Sequence, residues 1–303
     1  MTATAMKATA TSPKTKKYSY YPGCSLHTSA KEFDISTKVV MKELGIELED
    51  LKDWSCCGGS IAASVSHNVG MAMAARNVAL AQKQNLDLLA SCSGCYNKSA
   101  RAMKALKDPT EKEKITTIMS EMGIDVSDYN IRVRNVVDVL VNDIDIASRV
   151  KKPLTGLKVA CYYGCLLTRP ADITGWDSPV FPTSMDRLSE ICGAEVVDFK
   201  SKVKCCGGPI LVSKQDVAFD LTKKILDEAK ELGADCIVLA CPLCDTNLEL
   251  RQADIEKQYN VSYNMPIIYI TELIGLALGM KPNKLGMNKH IVSPKAVLAK
   301  LGL

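Results

Sequence analysis

Ten cysteines in a repeated spacing are the residues of this chain best suited to chemistry. Cys56-Cys57-Gly58-Gly59 recurs as Cys205-Cys206-Gly207-Gly208, and Cys92-x-x-Cys95 recurs as Cys241-x-x-Cys244, both displaced by 149 residues. One further cysteine precedes each pair, in Tyr21-Pro22-Gly23-Cys24 and in Tyr163-Gly164-Cys165, displaced by 141, so the second copy has gained eight residues. Each half reads Cys, then 31 or 39 residues, Cys-Cys, 34 residues, and Cys-x-x-Cys. Self-similarity at a fixed offset marks an internal duplication. Between the anchors, Leu44-Gly45-Ile46-Glu47-Leu48-Glu49-Asp50 corresponds to Cys192-Gly193-Ala194-Glu195-Val196-Val197-Asp198.

Three chemistries compete for such thiols. Zinc closes its shell with four ligands, usually as two separated pairs, so a fifth cysteine and an adjacent Cys-Cys suit it badly. A dithiol redox pair needs one Cys-x-x-Cys and leaves three cysteines of each half unexplained. An iron–sulfur cluster is held by thiolates, and adjacent cysteines can serve neighbouring irons. Five ligands per half exceed the four of an ordinary cubane, which points to an unusual cluster. The other three cysteines, Cys161, Cys192 and Cys236, lie in apolar segments without counterparts in the first half and read as packing residues.

The elements that must position these thiols alternate along the chain. Short apolar runs at 18–21, 86–90, 157–162 and 236–240 read as buried strands, and helical patterns follow at 71–84, 99–106, 217–232 and 246–259. The expected fold is α/β, with two pseudo-symmetric domains, each a small, mainly parallel sheet with helices. Ligand crevices in such sheets lie beyond the carboxyl ends of the strands, where this reading puts Cys24, Cys92, Cys165 and Cys241. Both Cys-x-x-Cys groups open helices, whose unpaired N–H groups favour thiolates. Gly58, Gly59, Gly207 and Gly208 permit close approach beside the paired cysteines. Asp108-Pro109-Thr110-Glu111 has the form of a capped helix start, and residues 151–156 read as a linker. The expected organisation is a disordered tail at 1–17, cysteine-rich domains at 18–150 and 151–280, and a C-terminal extension at 281–303.

Composition narrows the function classes. The chain has 303 residues, 47% hydrophobic and 24% charged, enough apolar material for two cores. Lys and Arg total 38 against 34 acids, spread along the chain, so no basic stripe argues for nucleic acid. The longest apolar stretch, 266–280, contains Thr271 and Glu272 and is too short to span a bilayer. With no secretory signal, the cysteines are expected as thiols, thiolates or metal ligands in the cytoplasm.

The doubled Cys…Cys-Cys…Cys-x-x-Cys pattern over residues 18 to about 250 resembles the cysteine-rich domain pair of the B-type subunit of heterodisulfide reductase. Lys289-His290-Ile291-Val292-Ser293-Pro294 is similar to that family's C-terminus. The same domain occurs in glycolate oxidase and in succinate or thiol:fumarate reductase subunits. The resemblance implies two noncubane [4Fe-4S] clusters, the first held by Cys24, Cys56, Cys57, Cys92 and Cys95, and the second by Cys165, Cys205, Cys206, Cys241 and Cys244. It implies that a disulfide such as coenzyme M–coenzyme B is split between facing clusters. Electrons would come from two heterodisulfide reductase-like partners, a C-type subunit carrying cubane iron–sulfur clusters and an A-type flavoprotein. Leu166 stands where methanogen members carry histidine, and Gly58 where they carry proline. Those departures look more like relatives outside the methanogens, including a branch that oxidises sulfur compounds. A noncatalytic, metal-stabilised electron-transfer adaptor is the reading from another class.

Four further residues are candidates by position. His27, three residues after Cys24, is the histidine nearest in sequence to a proposed ligand and a candidate proton donor. Arg169, Lys202 and Lys204 flank Cys165 and Cys205 and are candidates for binding an anionic substrate.

Overall fold

The computed structural model describes residues 16–59, 61–124 and 129–303. Two four-stranded sheets carry the chain, each parallel throughout. The first has the order β2-β1-β3-β4, with β1 Lys16–Tyr21, β2 Ile46–Asp50, β3 Leu88–Ala90 and β4 Val133–Asn135. The second repeats it as β6-β5-β7-β8, with β5 Lys158–Tyr162, β6 Glu195–Val196, β7 Cys236–Leu239 and β8 Ile267–Tyr269. The central strands are buried through their apolar runs, as expected where helices cover both faces.

Several elements differ from the sequence reading. Lys16 and Lys17 are the first residues of β1 rather than tail, and 1–15 lie outside the described residues. The helix after Cys92 starts at Ser93 and runs to Ala105, so the first Cys-x-x-Cys sits at its first turn. The expected helix over 246–259 is a π-helical turn, Thr246–Leu250, followed by helix Gln252–Tyr259. The linker residues 151–156 are docked: the Lys151 and Lys152 amides donate to the Ala277 carbonyl, each at 2.9 Å, and Leu154 is buried. In the C-terminal extension after 281, Leu285, Met287 and Val297 are buried in the main core. Asp108 does cap helix Pro109–Glu121, accepting from the Thr110 and Glu111 amides at 3.0 Å. That helix packs with His67–Lys83 and Ser93–Ala105 around a second, smaller core.

One apolar core runs through both halves. Helix Lys31–Glu43 of the first packs on Ile270–Ala277 of the second, and helix Ser184–Ile191 of the second packs on Val136–Asn142 of the first. These pairs are reciprocal, as in a two-fold dimer folded from one chain. At the first pair the Phe33 and Tyr269 rings stack with centroids 4.1 Å apart, and buried Ser36 and Thr271 hydroxyls lie 2.7 Å apart. Gly275 permits this approach, since a Cβ there would fall 2.3 Å from Leu285 Cδ2 and 3.1 Å from Val40 Cγ2. Among the described residues no helix is long and apolar enough to cross a membrane.

Helix propensity and packing oppose each other at Gly275. Propensity alone favours Gly275→Ala by about 1 kcal/mol, whereas overpacking costs about 1–3 kcal/mol. The variant is expected to be less stable by chemical denaturation; equal or greater stability would rule out the close-packing account.

Candidate metal centres

Each thiol group follows a strand end. Cys24 lies in the short helix Gly23–His27 directly after β1, and Gly164-Cys165 follows β5 in the same way. Cys92 and Cys241 are the N-cap residues of the helices after β3 and β7, with Cys95 and Cys244 in their first turns. The paired cysteines arrive on the loops after β2 and β6.

The thiols form a continuous line. Hydrogen-bonding contacts run from Cys56 to Cys57, Cys95 and Cys92, cross to Cys241 in the other half, and continue through Cys244, Cys206 and Cys205 to Cys165. Cys24 faces the Cys56 end. The middle of the line is buried, Cys165 and Cys205 are half-buried, and Cys24 and Cys56 are exposed. Cys161 and Cys236 lie in the central strands and Cys192 at a helix end, all buried and off this line.

Backbone geometry makes room for the sulfurs. Gly23 and Gly164 have φ of +75° and +66°, and a Cβ on them would fall 2.8 Å from Cys95 Sγ and 3.1 Å from Cys244 Sγ. Only glycine meets both demands without strain. The Gly207 and Gly208 amides donate to Cys205 and Cys206 Sγ at 3.4 Å. A buried tyrosine then fixes each Cys-Cys loop. Tyr21 donates to the Ser55 carbonyl at 2.8 Å and Tyr162 to the Lys204 carbonyl at 2.6 Å, each just ahead of the first paired cysteine. Tyr162, not Tyr163, is therefore the counterpart of Tyr21; the offset of 141 carried that signal.

Every third thiol along the line is lowered. Hydrogen bonds from Cys56 and Cys95 pull Cys57 down to about 3, and those from Cys165 and Cys206 pull Cys205 down to about 2. Cys244 and Cys92 lower Cys241 in the same way. The neighbouring thiols are raised, because they donate to thiolates and are buried beside them. Adjacent thiolates in a dry site repel, so ionising all ten demands bound cationic charge. Among the described residues no three His, Cys, Asp or Glu side chains close around a point as a single-ion cage. An all-sulfur set strung along a line fits polynuclear iron–sulfur groups.

The other candidates divide. Arg169 donates to the Val203 carbonyl and lies close enough to favour the Cys205 thiolate. Lys202 does not join the thiols: its Nζ pairs with Asp186 at 2.6 Å and lies 5.5 Å from the Tyr163 ring centre. Lys204 has an exposed side chain and contributes its carbonyl to Tyr162. His27 is exposed and sits edge-on to Trp54, ring centres 5.1 Å apart. The Leu166 side chain lies over Gly94, between Cys92 and Cys95, and makes that position aliphatic. Sequence reasoning missed three polar anchors. Ser93 donates to the Ala240 carbonyl at 2.8 Å, Asn97 donates to the Leu166 and Arg169 carbonyls at 2.9 and 2.7 Å, and Asn247 donates to the Cys206 carbonyl at 2.6 Å. Ser93 and Asn97 join the halves, and neither has a polar pattern of its own that marks it.

Comparison with known proteins agrees with the duplication. The family profile described as "Cysteine-rich domain" (CCG) matches residues 18–98 and 159–249. The chain is 34% identical over 278 residues to the 8-methylmenaquinol:fumarate reductase membrane anchor subunit of Wolinella succinogenes, covering 91% of this chain and 97% of that one. It is 31% identical over 295 residues to the B-type subunit of the ferredoxin:CoB-CoM heterodisulfide reductase of Methanosarcina mazei, covering 94% and 97%. A crystal structure of a hypothetical protein from Helicobacter pylori shares the fold with a TM-score of 0.73 at 16% identity. The match covers 93% of this chain and 53%, about half, of that one. The chain belongs to the family with a doubled CCG cysteine-rich domain that includes the B-type subunits of heterodisulfide reductase.

Proposed function

We propose that this chain is the catalytic iron–sulfur subunit of a heterodisulfide reductase-like complex, in which two noncubane [4Fe-4S] clusters act on a disulfide or its thiols. The observation that carries the reading is the contact of Cys92 with Cys241, where the two five-cysteine groups meet. Cys24, Cys56, Cys57, Cys92 and Cys95 would hold one cluster, and Cys165, Cys205, Cys206, Cys241 and Cys244 the other. When bound, the clusters supply one-electron chemistry and iron sites with affinity for sulfur. Disulfide cleavage takes two electrons and two protons and releases two thiols; the reverse reaction oxidises thiols.

The chain's own residues orient and shield. Gly23 and Gly164 let the backbone close on Cys95 and Cys244, and Tyr21 and Tyr162 hold the Cys-Cys loops. Arg169 places positive charge beside Cys205, suited to an anionic substrate group. His27, at the exposed Cys24 end, is the candidate imidazole for proton delivery by its position in the sequence. Electrons come from two partner proteins, a cubane iron–sulfur donor of the C type and a flavoprotein of the A type. Cysteines kept as thiolate ligands suit a reducing compartment, and cytoplasmic residence is part of this reading.

A second reading rests on the 34% identity to the menaquinol:fumarate reductase subunit. In it the same clusters conduct electrons between a quinol and a dicarboxylate reductase, and no sulfur substrate binds between them.

Iron, zinc and acid-labile sulfide on anaerobically purified protein test the metal. About eight irons with matching sulfide per chain are expected; one or two zincs without sulfide would remove both readings. Cys241→Ala in the assembled complex is expected to lower disulfide turnover by at least about 100-fold, whereas Cys192→Ala retains it. Full activity of Cys241→Ala would end the two-cluster mechanism. Turnover with quinol and fumarate, and none with disulfides or thiols, would select the second reading.

A further inference from the structure

Beneath the second thiol group lies a buried polar site that the thiol line does not use. The side chain of His290, from the C-terminal segment, is fully buried, with Nδ1 3.0 Å from Glu249 Oε2 and Nε2 3.0 Å from Glu272 Oε2. Glu249 also accepts from the Val292 amide at 3.0 Å, and Glu272 from the Tyr269 amide at 2.8 Å. Glu32 of helix Lys31–Glu43 and Asp245 of helix Pro242–Asp245 complete the surroundings and are buried as well. The Tyr269 hydroxyl and Asp245 Oδ1 face this group without a hydrogen-bond partner.

Two carboxylates removed from water are stable only with a counter-charge. Burial by itself disfavours charge on His290, but Glu272 and Glu249 outweigh it and lift its pKa to about 11. Burial keeps Glu32 and Asp245 inclined to stay protonated.

The first half solves the equivalent problem differently. Glu272 is the third residue of helix Ile270–Ala277, as Asp138 is of Val136–Asn142, and Asp138 pairs with Arg134 of its own strand. Glu249 has Ala100 as its counterpart at the offset of 149, inside the uninterrupted helix Ser93–Ala105. The π-helical turn Thr246–Leu250 thus exists only in the second half. An extra residue per turn redirects side chains. Here Asn247 reaches the Cys206 carbonyl while Glu249 reaches His290.

We propose that His290 is a positioning residue for the second metal centre: by bridging Glu249 and Glu272 it fixes the π-helical turn that holds Cys244 and the Cys206 backbone in place. The C-terminal segment is then a lock for one of the two thiol groups. Only the spectral part of the test rests on the cluster reading above.

Two measurements test it on the full chain. In iron-free protein, His290→Gln is expected to speed alkylation of Cys206 and Cys244 by about tenfold through local opening, with Cys57 and Cys95 unchanged. In cluster-loaded protein, the electron paramagnetic resonance signal of one cluster is expected to change while the other persists. Glu249→Gln, which keeps its size and its contact with Val292, carries the same test if His290→Gln does not fold. Equal alkylation in the two halves, or faster alkylation with both cluster signals unaltered, would overturn the proposal. Protein that never binds iron, yet shows the selective alkylation, would instead count against the proposed function alone.

Discussion

The structure depends on bringing ten sulfurs to one place. Thiols resist this, since each ionisation makes the next more costly in a dry site. The two raised thiols, Cys95 and Cys92, between lowered Cys57 and lowered Cys241 are the form that resistance takes. Two parallel sheets meet the demand because all their strands end on the same edge. Helices begin there too, offering N–H donors to anions.

Duplication makes the convergence geometrically simple. The two halves pack by reciprocal helix pairs, so whatever lies at the strand ends of one faces the strand ends of the other. Residues at the join break the symmetry. Ser93 and Asn97 of the first half reach backbone carbonyls of the second, whereas Pro242 and Thr246 at the equivalent positions do not return those contacts. The acid–imidazole group under Cys244 breaks it further, because its counter-charge comes from the chain's last segment rather than from the neighbouring strand. The two five-cysteine groups share a spacing pattern and differ in what supports it.

Much of the fold was legible. Short apolar runs just ahead of the cysteine groups marked β1, β3, β5 and β7, and alternation with helices implied parallel sheets. The edge strands β2, β4, β6 and β8 were missed: charged residues interrupt β2, β4 and β6, and β8 runs straight into the apolar helix Ile270–Ala277. The helix expected over 246–259 failed at Thr246 because apolar spacing reports a face and is blind to one extra residue in a turn. Lys202 looked available beside Cys205, yet Asp186, sixteen residues earlier, claims its ammonium.

Sequence by itself determined the thiol inventory, the duplication and the strand-end placement, because covalent spacing and hydrophobic period are local quantities. Tertiary structure decided which thiols touch across the halves, which cations stand beside them, and what charge lies beneath. The Cys92–Cys241 contact joins residues far apart in the chain, and the Glu249–His290–Glu272 bridge joins three separate elements. Such contacts arise from the packing of whole helices and sheets, and their energies depend on exclusion of water, which no short stretch of sequence records.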